Sequence, residues 1–297
     1  MNELKKAFLN ETAKVILGKE REFEIALCAF LCNGHILIED VPGVGKTTFA
    51  KTLAKVLGLK YQRIQFTSDL LPSDIIGSQV YNNKSQSFEI YKGPIFSEVV
   101  LADELNRASP KTQSSMLEAM EEHQVSIDKE TFSLPDPFFV IATQNPHTQI
   151  GTHLLPESQL DRFIVKLSLG IPHRDNEKKL IMGFDSSQAL LTVKNILSLS
   201  DQQKFKQLIA DVNISDKLAA YILDLLTLTR NNVKLNSLSP RAGIDIANMS
   251  KAYAFLQGRD FVIPDDVKTI TPYAISHRLA LDHHSINEEI IKNVKVD

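Results

Sequence analysis

The chain has 297 residues, of which 43% are hydrophobic and 23% are charged. At about 150 residues per domain this length predicts two domains, and such a chain can bury a large apolar core without disulfide bonds. With 33 Lys and Arg against 36 Asp and Glu, the formal charge is -3, so no overall positive field attracts nucleic acid or an anionic membrane. The longest apolar run, residues 25–32, is far shorter than the roughly 20 residues of a membrane-spanning helix. We expect a cytoplasmic protein without membrane insertion or a secretory leader.

A strand, a glycine-rich turn and a helix follow one another near residue 40. The apolar run His35–Glu39 predicts the strand, and apolar residues at helical spacing after Lys46 predict a helix that ends at Gly58. The turn offers what a phosphate-binding loop needs: backbone N–H groups at a helix N-terminus, a lysine for the terminal phosphates and a hydroxyl for Mg²⁺. Asp40 stands where the usual pattern begins with glycine. The predicted nucleotide-binding residues are Pro42, Gly43, Val44, Gly45, Lys46, Thr47 and Thr48.

Polar residues end two further predicted strands. Asp103 and Glu104 follow an apolar run, and in enzymes with a phosphate-binding loop such acids help to hold Mg²⁺ and polarise the attacking water. We therefore expect Thr47 and Asp103 to hold the metal and Glu104 to activate water. Asn145 follows another buried strand, where its amide can hold the attacking water or the terminal phosphate.

The order of elements predicts an α/β fold. Strands that alternate with helices favour a parallel sheet with covered faces, and the five predicted strands are 35–39, 61–66, 99–102, 138–143 and 164–167. The segments 79–96 and 124–134 alternate around polar tips, which predicts two hairpins. After Pro172 amphipathic helices replace the strand pattern. We expect a nucleotide-binding α/β domain at 1–170 and a small helical domain at 171–297.

Two arginines stand at predicted element boundaries. Arg162 directly precedes the last strand, and Arg241 lies at the start of a helix opened by Ser239 and Pro240. A positive charge at a helix N-terminus is unfavourable with the helix dipole, so we expect an anion to hold Arg241 there. For either arginine taken alone, an exposed ion pair with a nearby acid is the simpler interpretation.

In this order, the motifs resemble the MoxR family of AAA+ ATPases. The resemblance covers nearly the whole chain, and its most specific stretches are 101–108, 112–122, 142–146, 155–163 and 238–242. It implies a phosphate-binding-loop (P-loop) core with a helical lid, ATP and Mg²⁺ as cofactors, and a ring that is commonly a hexamer. It also implies roles for single residues: Lys46 and Thr47 in the Walker A motif, Asp103 and Glu104 in the Walker B motif, Asn145 as sensor 1, Arg162 as arginine finger and Arg241 as sensor 2.

The resemblance further implies partners. These are a client protein that the ring matures or assembles, and a protein with a von Willebrand factor A domain. The two hairpins would be the helix-2 insert and the pre-sensor-1 hairpin, which face the pore in such rings. The chain departs from the family at residues 149–154 and at the hairpin tip 128–130. Neither departure touches the nucleotide chemistry, but both bear on what the ring engages.

Two other functions stay open from the sequence. A DNA-acting AAA+ motor would use hairpins in related positions, but the charge of -3 and the absence of a basic run argue against it. A P-loop kinase for a small metabolite would share the phosphate-binding loop. The set of Glu104, Asn145 and Arg162 argues instead for water as the acceptor.

Overall fold

The computed structural model describes residues 2–128, 130–145, 152–233 and 235–295. Five strands form the main sheet: His35–Glu39 (β1), Tyr61–Gln65 (β2), Val99–Asp103 (β5), Phe139–Gln144 (β8) and Phe163–Leu167 (β9). Four form two hairpins: Gly77–Asn82 (β3) with Ser87–Lys92 (β4), and Gln124–Ile127 (β6) with Glu130–Ser133 (β7). The helices are Asn2–Ala13 (α1), Glu20–Leu31 (α2), Lys46–Leu57 (α3), Pro72–Ile76 (α4), Pro110–Glu122 (α5), Glu157–Leu160 (α6), Arg174–Ile181 (α7), Ser186–Thr192 (α8), Leu199–Ala210 (α9), Asp216–Asn231 (α10), Pro240–Leu256 (α11), Pro264–Leu279 (α12) and His283–Glu289 (α13).

All five strands of the main sheet run in the same direction, in the order β2-β5-β8-β1-β9. Side chains alternate between the two faces of a strand, and accordingly Ile36 and Ile38 join one cluster of buried apolar side chains while Leu37 joins the other. The central strands are therefore buried on both faces, which explains why β5 and β8 are largely apolar, whereas the edge strand β2 carries polar, exposed residues. The predicted parallel sheet is confirmed, with strand ends within a residue of those expected.

Local signals in the sequence place the helix ends. Ser109, Ser215 and Ser239 each accept a hydrogen bond from the backbone N–H three residues further on, which satisfies one of the unpaired donors at a helix N-terminus. Gly58 follows α3 with a φ of 72°, a left-handed conformation that glycine adopts readily. Among the described residues, no helix has both the length and the apolar character needed to cross a bilayer.

Both predicted hairpins are present. β3 pairs antiparallel with β4, and β6 with β7. Tyr81 and Phe88 face each other near the tip of the first hairpin, with ring centroids 5.2 Å apart, and both side chains are exposed. In the second hairpin Val125 is buried and Ser126 is exposed, the alternation expected of a half-buried strand. Lys129 at the second tip lies outside the described residues, as do residues 149–151 of the segment that departs from the family.

The helices after residue 170 pack directly on the α/β part of the chain. α11 lies against α2, and α12 lies against β9. Phe23 and Phe49 from the first part, and Ile246 and Ile275 from the second, belong to one continuous cluster of buried side chains. The two parts thus share a core, and the domain boundary at residue 170 stays a prediction.

A charged network joins the helical part to the segment before β9. Arg278 of α12, only 7% exposed, donates from Nε to Asp161 Oδ1 at 2.7 Å and from Nη2 to Asp245 Oδ2 at 2.5 Å. Ser239, the N-cap of α11, donates its hydroxyl to Asp161 at 3.0 Å. Asp161 therefore connects α11 and α12 to the residue next to it, Arg162.

We expect Arg278→Ala to lower the free energy of unfolding by about 3–5 kcal/mol, because it leaves Asp161 and Asp245 without their buried partner. Chemical denaturation measures this change. Lys292→Ala is a suitable control, since it removes an exposed ion pair with Glu288 and should leave stability unchanged. If Arg278→Ala were as stable as the parent, the network would not be holding the two parts together.

Candidate functional site

The turn between β1 and α3 has the geometry of a phosphate cradle. Gly43 and Gly45 have φ values of 88° and 95°, which glycine adopts without steric cost. No heavy atom lies within 4 Å of the point where a Cβ would stand on either glycine, so the loop is open on that side. Gly45 is the N-cap of α3, and the positive end of the helix dipole therefore lies at the loop.

Asp40 shows why this loop begins with an acid. Its carboxylate accepts hydrogen bonds from the backbone N–H groups of Leu169 and Gly170 and from the Ser168 hydroxyl. These donors directly follow β9, so the side chain ties the start of the loop to the neighbouring strand. The departure from the usual glycine thus supplies a structural contact and leaves the glycines of the cradle in place.

A chain of hydrogen bonds joins Lys46, Asn145 and Glu104. Lys46 Nζ donates to Asn145 Oδ1 at 3.0 Å and to the Asp40 carbonyl oxygen at 2.6 Å. Asn145 Nδ2 in turn donates to Glu104 Oε1 at 3.0 Å. Lys46 is 8% exposed, and the desolvation of its ammonium group lowers its pKa. Three predicted site residues from distant parts of the sequence are therefore in direct contact.

Thr143 orients both acids at the end of β5. Its hydroxyl donates to Asp103 Oδ1 at 2.6 Å and accepts the backbone N–H of Glu104 at 2.9 Å. Glu104 has a φ of 57°, and a non-glycine residue held in this region costs about 1–3 kcal/mol and is typical of functional sites. The backbone strain therefore aims the Glu104 carboxylate toward the chain of hydrogen bonds described above.

Sequence reasoning missed three further residues that hold these acids. Arg63 Nε donates to Asp103 Oδ2 at 2.9 Å, while Gln65 Nε2 and Arg107 Nη1 each donate to Glu104 Oε2 at 2.9 Å. Arg63 and Gln65 lie two apart on β2, which pairs with β5, so both point to the same face. The alternating polar residues Arg63 and Gln65 at the end of β2 were the available signal for this role. The sequence does not show, however, that β2 lies beside β5.

The donors at Thr47 and Asp103 suit Mg²⁺. Hydroxyl and carboxylate oxygens are the ligands this ion prefers, usually together with water and substrate phosphates. Thr47 follows Lys46 at the start of α3. Asp103 lies close enough to Lys46 that its negative charge partly offsets the lowering of the Lys46 pKa by burial. With the open glycine cradle alongside, the residues present fit a metal ion that is bound together with a phosphate.

A cleft of about 560 Å³ lies beside the loop, a volume typical of small-molecule sites. One wall is the segment between α1 and α2, including Val15, Ile16 and Leu17; another runs from Ile171 to Leu180 in α7. Neither wall was predicted. The apolar run 15–17, for example, cannot be distinguished in the sequence from any other short buried segment.

Arg162 lies at the opposite edge of the sheet from the loop. The residue after it, Phe163, pairs with His35 at the start of β1. The loop follows Glu39 at the end of the same strand, about 13 Å further on at roughly 3.3 Å per residue. Because these strands are parallel, Arg162 stands at their amino ends and the cradle at their carboxyl ends.

Arg241 lies at the same edge as Arg162. Arg162 Nη2 contacts Glu121 Oε2 at 2.9 Å, and Arg241 Nη1 contacts Glu121 Oε1 at 3.2 Å. Within the described residues, the carboxylate that Arg241 contacts directly is that of Glu121, at the end of α5. The structure brings the two predicted arginines together, but it does not bring them to Lys46.

Comparisons with known proteins agree with this geometry. Residues 35–165 match the family model of the ATPase family associated with various cellular activities (AAA), and residues 226–294 match that of the AAA lid domain. With the parallel sheet and the glycine cradle, these matches define the class of the protein. It is an AAA+ ATPase, a nucleotide-binding enzyme that hydrolyses ATP.

Individual relatives define the family more closely. Chaperone MoxR1 of Mycobacterium tuberculosis is 38% identical, with 97% of this chain and 78% of that protein covered. The uncharacterized protein YeaC of Bacillus subtilis is 42% identical, with 95% and 92% covered. The crystal structure of a candidate ATPase from Cytophaga hutchinsonii has a TM-score of 0.87 at 37% identity, covering 100% of this chain and 96% of that one. The chain belongs to the MoxR family.

Lys46→Ala should weaken ATP binding at least about tenfold, because charge-assisted hydrogen bonds to an anion contribute about 1.5–3 kcal/mol each. Isothermal titration calorimetry with ATP and Mg²⁺ measures the affinity. Lys51→Ala is the matched control: it removes the same charge from an exposed position of the same helix. An unchanged affinity in Lys46→Ala would contradict the assignment of the cradle.

Proposed function

We propose that this chain is a Mg²⁺-dependent ATPase that works as a homo-oligomeric ring, with each active site completed by the adjacent subunit. The observation that carries this proposal is the separation of the two halves of the site. Lys46, Asn145 and Glu104 lie at the carboxyl edge of the sheet, whereas Arg162 and Arg241 lie at the amino edge. Head-to-tail contacts between identical subunits form a ring when the rotation between neighbours closes, and they bring opposite edges of neighbours together. The family resemblance supports six subunits.

In this proposal the residues at the carboxyl edge bind the nucleotide and activate water. The cradle and Lys46 bind the phosphates, and Thr47 and Asp103 hold Mg²⁺, which neutralises phosphate charge when bound. Glu104 accepts a proton from the attacking water, with Asn145 fixing the carboxylate beside Lys46. The apolar wall at residues 15–17 contacts the adenine base of the bound ATP.

The two arginines at the amino edge act on the phosphates of the neighbouring subunit. Both arginines then act on one nucleotide, because the Glu121 carboxylate already holds them close to each other. Arg162 corresponds to the arginine finger. Arg241, the proposed sensor 2, acts beside Arg162 on the same nucleotide of the neighbouring subunit. It therefore links the helical part of its own chain to that nucleotide.

We propose that hydrolysis drives the chaperone-like maturation or assembly of a client protein in the cytoplasm. The relative named Chaperone MoxR1 supports this, as do the exposed Tyr81 and Phe88 on the first hairpin, which offer an apolar contact to a polypeptide. The charge of -3 favours a protein over DNA as the client. A protein with a von Willebrand factor A domain is the partner that the family resemblance supports.

Glu104→Gln should retain ATP binding and lose about 10²- to 10⁴-fold in turnover, because the amide cannot accept the proton of the attacking water. Phosphate release at saturating ATP measures turnover, and calorimetry measures binding. Glu118→Gln, an exposed change on α5, is the control and should match the parent. Parent-level turnover in Glu104→Gln would exclude the proposed base.

Mixing two inactive variants tests whether the arginine acts across the interface. Arg162→Ala binds ATP but lacks the finger, which contributes about 10³- to 10⁵-fold in rate. Lys46→Ala binds ATP only weakly but still presents Arg162 to its neighbour. We expect phosphate release to appear on mixing and to depend on the mixing ratio. Silent mixtures in which native mass spectrometry detects mixed rings would refute action across the interface.

A further inference from the structure

Glu121 occupies the centre of the arginine edge. Its side chain is 40% exposed, and each of its carboxylate oxygens faces one guanidinium, that of Arg162 at 2.9 Å and that of Arg241 at 3.2 Å. The residue lies on the last turn of α5, directly before the β6–β7 hairpin. One negative group thus pairs with the two positive groups that we assign to the phosphates of the neighbouring subunit.

We propose that Glu121 is a stand-in for the γ-phosphate of the neighbouring subunit. In the separate chain its carboxylate holds both guanidinium groups, and during assembly the incoming phosphate displaces it. The inference rests on the proposed function, because it requires Arg162 and Arg241 to act across the interface. Assembly is then a competition between the Glu121 carboxylate and the incoming phosphate for the same pair of arginines.

The chemistry of the two anions favours this exchange. Guanidinium groups bind carboxylates and phosphates with the same fork of N–H donors. Exposed carboxylate–arginine pairs are weak because water and salt screen them, whereas a terminal phosphate brings more negative charge and three acceptor oxygens. A carboxylate that stayed between the arginines would repel that phosphate at close range. Glu121 must therefore move away when the phosphate arrives.

Glu121→Gln separates this role from a purely structural one. The amide keeps the size and an acceptor oxygen but loses the charge, so it competes less for the arginines. With a non-hydrolysable ATP analogue and Mg²⁺, we expect the variant to assemble at a protein concentration about three- to tenfold lower than the parent, as two weak exposed pairs allow. Analytical ultracentrifugation measures this concentration. Glu121→Ala should shift it in the same direction.

Glu122→Gln is the matched control, since it removes the same charge from the adjacent exposed position. It should assemble at the parent concentration. If Glu121→Gln and Glu121→Ala assembled at the parent concentration or above it, the inference would be wrong. The double variant Arg162→Ala with Arg241→Ala tests the proposed function separately. Parent-like assembly of that double variant would overturn the proposed function, and a parent that never assembles would overturn both.

Discussion

The direction of the five strands is the constraint on which the rest of the molecule depends. In a parallel sheet every carboxyl end lies at one edge and every amino end at the other, and ligands of open α/β sheets bind outside the carboxyl ends. The loop after β1, the acids after β5 and the amide after β8 therefore meet at one place. The same constraint keeps Arg162, which precedes β9, away from that place.

Burial makes the contacts at the carboxyl edge effective. Lys46 and Asn145 are almost fully buried, and in such surroundings hydrogen bonds between charged and polar groups are stronger than in water. Unpaired polar groups are also costly there, which is why the edge carries supporting donors such as Thr143 and Arg63. The Glu104 carboxylate is consequently fixed in direction although its backbone conformation is strained.

The amino edge is organised in a different way. Its arginines and Glu121 are partly exposed, and the Arg278 guanidinium beneath them is buried. Arg278 and Asp161 bind each other beneath this edge and fasten α12 to the residue before Arg162, and Ser239 fastens the start of α11. Partly exposed charged groups above a buried arginine suit a surface that exchanges one partner for another.

The sequence by itself determined the elements and the residue types of the candidate site. Residue types and local spacing act over a few residues, so the strands, the serine N-caps, the glycine cradle and the position of Asn145 after a buried strand could all be read in advance. The MoxR resemblance rests on the same local motifs. Local signals of this kind do not depend on which strand lies beside which.

Only the tertiary structure decided which of these groups meet. The pairing of β2 with β5 brings Arg63 and Gln65 to the two acids at the end of β5. The packing of α12 on β9 gives the helical part and the sheet one core. The position of α5 places Glu121 between Arg162 and Arg241. Such contacts join residues far apart in the chain, and they arise from the mutual packing of buried faces, which no short stretch of sequence contains.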